Sequence, residues 1–196
     1  MRHDQAALPR RRPTCAVLAV LATAALLTGC TGDGQVGPDA ADTAYATSVV
    51  GHHAQTLALL DLTLGRDGLD PRIGTFADRA RTDLFAEVDA TTRRLETWGE
   101  EIPRTALEHT HDESVSYDTS IAGVLSNDSM RTLERTTGPA FERAWLRALV
   151  AHERGAVEIA EEAVENGRDA AAVAAARKDE RVHADRITAL EELTAP

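Results

Sequence analysis

The chain has 196 residues and a formal net charge of −11. Residues 1–29 hold four of its arginines and one aspartate, so the rest of the chain has 17 basic and 31 acidic residues, a formal charge of −14. An excess of negative charge this large excludes binding to nucleic acid or to anionic lipid headgroups through electrostatic attraction.

The first 29 residues have the three parts of a bacterial lipoprotein signal peptide. Three arginines at positions 10–12 supply the positive charge, and the apolar run at 15–27 is too short to span a bilayer stably. The segment Leu27-Thr28-Gly29-Cys30 then provides the aliphatic residue, the two small residues and the cysteine of a lipobox. The sequence therefore predicts that Cys30 carries a lipid and anchors the protein on the outer face of the cell membrane.

A flexible tether and one folded domain are predicted after the anchor. Residues 30–41 are rich in Gly and Asp and lack periodicity, whereas residues 42–194 contain long stretches with helical spacing of apolar residues. Because Cys15 lies within the signal peptide, Cys30 is the only cysteine of the mature chain and no intrachain disulfide can form. The domain must therefore be stabilised by its own apolar core, for which about 150 residues suffice.

Helical periodicity and the residues that interrupt it divide the domain into segments. Gly65, Gly68 and Pro71 end the first helix, Gly99 ends the second, and no strand pattern is present. Residues 100–125 lack periodicity and are predicted to form a solvated loop that includes His109 and His111. The predicted helices are residues 42–64, 71–98, 126–136, 139–165 and 169–193.

An internal repeat relates the two halves of the domain. A shift of one hundred residues aligns Tyr45 with Trp145 and His52 with His152, and apolar positions between and beyond them also coincide. Each half then corresponds to a helical hairpin, and the long connection between them corresponds to a crossover. The predicted fold is all-α, a four-helix bundle built from two repeated hairpins with a long crossover loop.

These residues resemble the pattern of a known family. His52-His53 preceded by an aromatic and an apolar pair, and its recurrence before His152-Glu153, resemble the domain of unknown function 305. Trp98-Gly99 and the segment 127–138 are similar to the end of the family's first hairpin and the start of its second. The resemblance implies a ferritin-like helical fold and, in bacteria, an exported protein.

Some members of that family are associated with copper handling through paired histidines and many methionines. Thioethers favour Cu(I) and imidazoles favour Cu(II). Here the second pair is His152-Glu153, and Met1 and Met130 are the only methionines. Cu(I) binding through thioethers is therefore not expected of this chain.

A mixed nitrogen and oxygen metal site is predicted in the bundle interior. His52 and His152 lie on apolar stripes that face inward, and Glu180 and His183 lie one turn apart on a stripe of the last helix. Glu-x-x-His on an inner helix face is a ligand pair in ferritin-like metal proteins. Such a site suits a divalent transition metal: zinc, copper(II) or iron. The candidate ligands are His52, His53, His152, Glu153, Glu180, His183 and Glu87.

One other interpretation of the histidines remains open. A buried histidine is often a hydrogen-bonded core residue, in which case the domain is a structural or protein-interaction module with an unspecified partner. No Ser/His/Asp or Cys/His arrangement, Gly-rich phosphate loop or zinc-protease motif is present, so the sequence predicts that the protein is not an enzyme.

Overall fold

Long α-helices make up most of the chain in a computed structural model that describes residues 37–104 and 116–194. These two ranges contain no strand, and none of their helices is long and apolar enough to cross a membrane. The signal peptide, Cys30, His109 and His111 lie outside the described residues. The helices of the described ranges are α1 (Ala40–Asp61), α2 (Pro71–Trp98), α3 (Asn127–Arg135), α4 (Gly138–Asn166) and α5 (Ala170–Thr194).

The ends of α2 to α5 lie within one residue of the predicted positions, because local capping signals determine them. Before α2, the side chain of Asp70 accepts a hydrogen bond from the amide of Arg72 at 2.8 Å. Gly99 ends α2 with a φ of 74°, a left-handed conformation that glycine adopts without strain. Ser126 caps α3 by accepting a hydrogen bond from the amide of Ser129 at 3.2 Å.

Helix α1 begins two residues before the predicted domain boundary. Asp39 and Asp42 form a reciprocal capping box: the Asp39 carboxylate accepts from the amide of Asp42 at 3.1 Å, and the Asp42 carboxylate accepts from the amide of Asp39 at 3.0 Å. The buried Asp42 carboxylate also accepts from the amides of Arg168 and Asp169 at 3.1 and 2.9 Å. Helix α1 thus includes Ala40 and Ala41 before the predicted boundary, and Asp42 joins the start of α1 to the turn before α5.

The four long helices form two antiparallel hairpins, α1–α2 and α4–α5, which pack together mainly through α1 and α4. The indole of the fully buried Trp145 on α4 donates a hydrogen bond to the carbonyl oxygen of Leu59 on α1 at 2.7 Å. The described part of the chain thus confirms the predicted all-α four-helix architecture.

The apolar core is divided along the bundle axis. Towards one end, Leu57 and Leu149 belong to a large cluster that surrounds Trp145, and towards the other end Val49 and Ile159 belong to a smaller cluster. The histidines of α1 and α4 lie between these positions, so polar side chains occupy the middle of the interior.

Candidate metal centre

The two histidines related by the internal repeat stack on one another at the α1–α4 interface. The ring centroids of His52 and His152 are 3.7 Å apart, with 13° between the planes. Nε2 of His52 lies 2.9 Å from the carbonyl oxygen of His152, and Nε2 of His152 lies 3.3 Å from the carbonyl oxygen of His52. These reciprocal contacts give the sequence repeat a local, approximate two-fold relation in space.

Both ring nitrogens of His152 have protein partners. Nδ1 lies 2.9 Å from the carbonyl oxygen of Gly123, which can only accept, so Nδ1 carries the proton. Burial lowers the pKa of His152. Its Nε2 lies 2.9 Å from the hydroxyl of Thr56, which is also 3.1 Å from the carbonyl oxygen of His52 and can donate to only one of the two. The shorter contacts, with Gly123 and Thr56, are satisfied together when Nδ1 carries the proton and Nε2 accepts from Thr56. In that arrangement both nitrogens of His152 are engaged.

A close backbone contact holds Gly123, whose carbonyl oxygen contacts the ring of His152, in place. A Cβ atom at Gly155 would lie 2.4 Å from backbone atoms of Ala122 and Gly123, so the segment before α3 lies directly against α4. Gly123 itself has a φ of 77°. Glycine at both positions is what allows the Gly123 carbonyl to reach the His152 ring.

Glu153 and His183 form a buried pair between α4 and α5. Oε2 of Glu153 accepts a hydrogen bond from Nδ1 of His183 at 2.5 Å, and both residues are at most 2% exposed. Although burial opposes ionisation, the hydrogen bond from His183 helps to hold the pKa of the Glu153 carboxyl below its usual value. When the ring of His183 is neutral with its proton on Nδ1, Nε2 holds the lone pair, as in histidines that bind metals while a carboxylate orients them.

Two further imidazoles, those of His52 and His53, converge on the ring of His183, and several of their nitrogens lack partners. His52 Nδ1 and both ring nitrogens of His53 are buried without a hydrogen-bond partner. The ring centroids are 6.3 Å apart for His52 and His53, 6.1 Å for His52 and His183, and 5.6 Å for His53 and His183. Burial and the neighbouring histidines hold the pKa values of His52 and His53 well below the usual range, so both are neutral.

A buried ion pair adjoins His53. Nη2 of Arg186 on α5 lies 3.3 and 3.2 Å from the two carboxylate oxygens of Glu87 on α2. Oε2 of Glu87 is also 4.0 Å from Nε2 of His53. Both side chains of the ion pair are about nine-tenths buried, and Nη1 of Arg186 has no partner.

The sequence pattern of one family covers most of the chain. The family described as "Domain of unknown function (DUF305)" matches residues 42–194. The chain belongs to the DUF305 family. No curated protein matches its sequence.

Solved structures share the fold of this DUF305 domain at identities of 20% or less. A DUF305 fragment from Deinococcus radiodurans has a TM-score of 0.67 and 17% identity, covering 80% of this chain and 96% of that one. A DUF305 protein from Streptomyces coelicolor, described as secreted, has a TM-score of 0.63 and 20% identity, covering 78% and 89%. CopM in its Cu(II)-bound form has a TM-score of 0.60 and 16% identity, covering 78% and 94%.

Most of the predicted ligands of the DUF305 domain do come together, but Glu180 does not join them. The buried face of α5 includes Asp179 and Arg186, whereas Glu180 is only partly buried. The Asp179 carboxylate instead accepts a hydrogen bond from the hydroxyl of Tyr45 at 2.5 Å. The predicted inward stripe is correct at His183 but includes Glu180 where the structure buries Asp179, because α5 is rich in alanine, which can occupy any side of a helix. The predicted residues that do cluster are His52, His53, His152, Glu153, His183 and Glu87.

Sequence reasoning missed three participants in the cluster: Thr56, Gly123 and Arg186. Thr56 lies one turn after His52, a spacing that could have indicated it, but no local signal marks the other two. In the described residues, no three His, Cys, Asp or Glu side chains form a ready coordination shell for a metal ion. What the cluster offers is neutral imidazole nitrogens that lack partners.

Proposed function

We propose that this protein is a lipid-anchored extracytoplasmic domain that binds a transition-metal ion, Cu(II), Zn(II) or iron, at its buried histidines. The observation that carries the proposal is the set of unpartnered imidazole nitrogens of His52 and His53 in the bundle interior. A buried polar group without a hydrogen bond costs about 1–3 kcal/mol, so three such nitrogens in one place need a reason. Coordination of a cation would supply it.

The residues present fit a borderline transition metal. His52 through Nδ1, His53 through either nitrogen and His183 through Nε2 are the nitrogen donors, and imidazole suits copper(II), zinc and iron. Glu153 orients His183 through their 2.5 Å hydrogen bond. His152 supports the site by packing against His52 rather than as a ligand, because both of its nitrogens are engaged. A bound ion would supply positive charge and coordination where these neutral groups converge.

A soft-metal site is not part of the proposal. The mature chain has one methionine, Met130, which is buried in the large apolar cluster around Trp145 rather than among the histidines. CopM, whose fold this chain shares, has a Cu(II)-bound form, which supports a metal-binding role without specifying the ligands. The predicted lipobox at Cys30 and the secreted relative from Streptomyces coelicolor support an extracytoplasmic location.

The test measures metal content and metal-dependent stability. The full-length chain, purified in detergent without chelator, is analysed for its elements and then melted with and without Cu(II), Zn(II) or Fe(II). Since a metal that binds the native state preferentially raises the melting temperature by mass action, the wild type should show a metal-dependent rise. His53→Leu should abolish that rise.

The matched control is Gln55→Leu, which removes another buried polar side chain from the same helix. The Gln55 side chain exchanges hydrogen bonds with the backbone of Leu125 at 2.8 and 2.6 Å and takes no part in the histidine cluster. Gln55→Leu should therefore lower the melting temperature but retain the rise with metal. If the wild type shows no rise with any of the three metals, metal binding is refuted.

A second candidate function is a non-catalytic structural or interaction module that has kept the fold without the metal. The lack of a ready coordination shell among the described residues favours it. A metal-free wild type whose stability is unaffected by metal, with His53→Leu more stable than the wild type, would assign the cluster this passive role.

A further inference from the structure

A groove between α2 and α5 runs along the surface beside the histidine cluster. It contains a cavity of about 550 Å³ whose lining includes Glu87, and a cavity of about 370 Å³ whose lining includes Arg186. Asp83 and Val182 line both cavities, so they are neighbouring sections of one groove. The Glu87–Arg186 ion pair therefore lies where the two sections meet.

Glu87 has a place both on this groove and against the cluster. One carboxylate oxygen is 3.2 Å from Nη2 of Arg186 and 4.0 Å from Nε2 of His53, which is nearly fully buried. The carboxylate is thus the negative charge next to an unpartnered imidazole, and it is already held by a guanidinium.

Arg186 opposes further positive charge near His53. Burial is the main cause of the lowered pKa of His53, and repulsion by the guanidinium of Arg186 adds to it. The same repulsion acts on any cation that approaches the ring, because Coulomb repulsion is strong where water is excluded. Nη1 of Arg186 has no partner, so the guanidinium is incompletely satisfied where it lies.

We propose that Arg186 is an internal competitor for Glu87, so that a divalent cation entering from the α2–α5 groove binds beside His53 only when Arg186 releases the carboxylate. This inference rests on the proposed function and adds its control. Glu87 neutralises part of the charge of a bound cation, and Arg186 sets how tightly the cation is held. Removing the guanidinium should therefore strengthen cation binding while weakening the metal-free fold, where Glu87 would be left buried without its partner.

The test uses the full-length chain in detergent, with binding of Cu(II) and of Zn(II) measured by isothermal titration calorimetry. Arg186→Gln should lower the dissociation constant on the order of tenfold, within the ordinary range for coupling between linked binding events. It should also lower the melting temperature without metal and enlarge the rise with metal. The matched control is Arg154→Gln, which removes an equal charge from an exposed ion pair with Glu191 and should bind as the wild type does.

A double-mutant cycle isolates the competition for the carboxylate. In a Glu87→Gln background there is no negative charge to release, so Arg186→Gln should give a much smaller gain in affinity than it gives in the wild type. Arg186→Lys keeps the charge on a shorter side chain that holds Glu87 less closely than Nη2 of Arg186 does, and it should fall between wild type and Arg186→Gln. The lysine variant also provides the comparison if the glutamine variant fails to fold.

The outcomes separate this inference from the proposed function. If the wild type binds metal but neither Arg186 variant binds more tightly, the competition is wrong and Arg186 is a structural residue. An equal gain in the Glu87→Gln background would also overturn it, because the effect would then be general electrostatics. If neither the wild type nor any variant binds Cu(II) or Zn(II), and Fe(II) also leaves the melting temperature of the wild type unchanged, the proposed function itself fails. Binding by Arg186→Gln alone would support competition in its strongest form.

Discussion

We expect mild acid to lower the free energy of unfolding of the metal-free protein strongly. His52, His53 and His152 are buried, neutral and have lowered pKa values, chiefly because burial opposes their charged form. In the unfolded chain each returns to its ordinary value of 6.5. Below about that pH the unfolded state binds more protons than the folded state, so stability is fully present above pH 6.5 and is lost as the pH falls.

The magnitude follows from the number of groups. Each histidine that stays neutral in the folded protein contributes about 1.4 kcal/mol of lost stability per pH unit below 6.5. His52 and His53, whose pKa values are lowered furthest, together remove roughly 3 kcal/mol by pH 5.5, and His152 adds to this in the same direction. Glu153 does not offset it, because its lowered pKa keeps it ionised over this range. For a domain of this size the melting temperature should fall by roughly 6–12 °C.

The assay is thermal and urea denaturation followed by circular dichroism at pH 7.5, 6.5 and 5.5, with a chelator present. His53→Leu should reduce the slope by about 1.4 kcal/mol per pH unit, because one titrating group has been removed. A free energy of unfolding that is the same at pH 7.5 and 5.5 would show that the histidines are not held neutral. It would refute the account of the cluster as buried, unprotonated imidazoles.

Two further predictions test the packing and the anchor. Gly155→Ala should destabilise the fold by about 1–3 kcal/mol, since a Cβ would collide with the backbone of Ala122. The control is Gly74→Ala on α2, where a Cβ meets no atom within 4 Å and the change should stabilise by up to about 1 kcal/mol. Equal effects of the two variants in urea denaturation would contradict the close contact at Gly155. Cys30→Ser should abolish lipidation, so that unprocessed precursor accumulates and no mature lipoprotein is found in the membrane fraction. Normal lipidation of this variant by mass spectrometry would contradict the predicted lipobox.

The histidine cluster places polar groups in the interior of the fold, and they lower its stability where no partner satisfies them. The neutral imidazole of His53 is buried without a hydrogen bond and that of His52 has one, through Nε2, while both nitrogens of His152 have partners. This contrast between repeat-related positions is informative, because a merely inherited core histidine would be expected to find partners on both sides. One histidine of the stacked pair is held as support, and the other keeps a lone pair.

Local chemistry in the sequence was sufficient to place the helices. Pro71, Gly99 and Ser126 act within a turn of the helix ends that they determine, so their effect can be read without knowing the fold. The repeat also identified His52 and His152 as inward-facing equivalents, and the structure stacks them. The start of α1 was less accurate because the tether contains several acidic residues and only the Asp39–Asp42 box defines the first turn.

The partners within the site were decided by tertiary packing. The buried face of α5 includes Asp179 and Arg186. The apolar pattern of an alanine-rich helix does not indicate which face is buried, because alanine is small enough to lie on any face. Glu153 pairs with His183, 30 residues away in the sequence, and Glu87 pairs with Arg186, 99 residues away. Such contacts depend on how the helices pack together. The sequence around each residue indicates only which face of its own helix it lies on, and not which residue it meets on another helix.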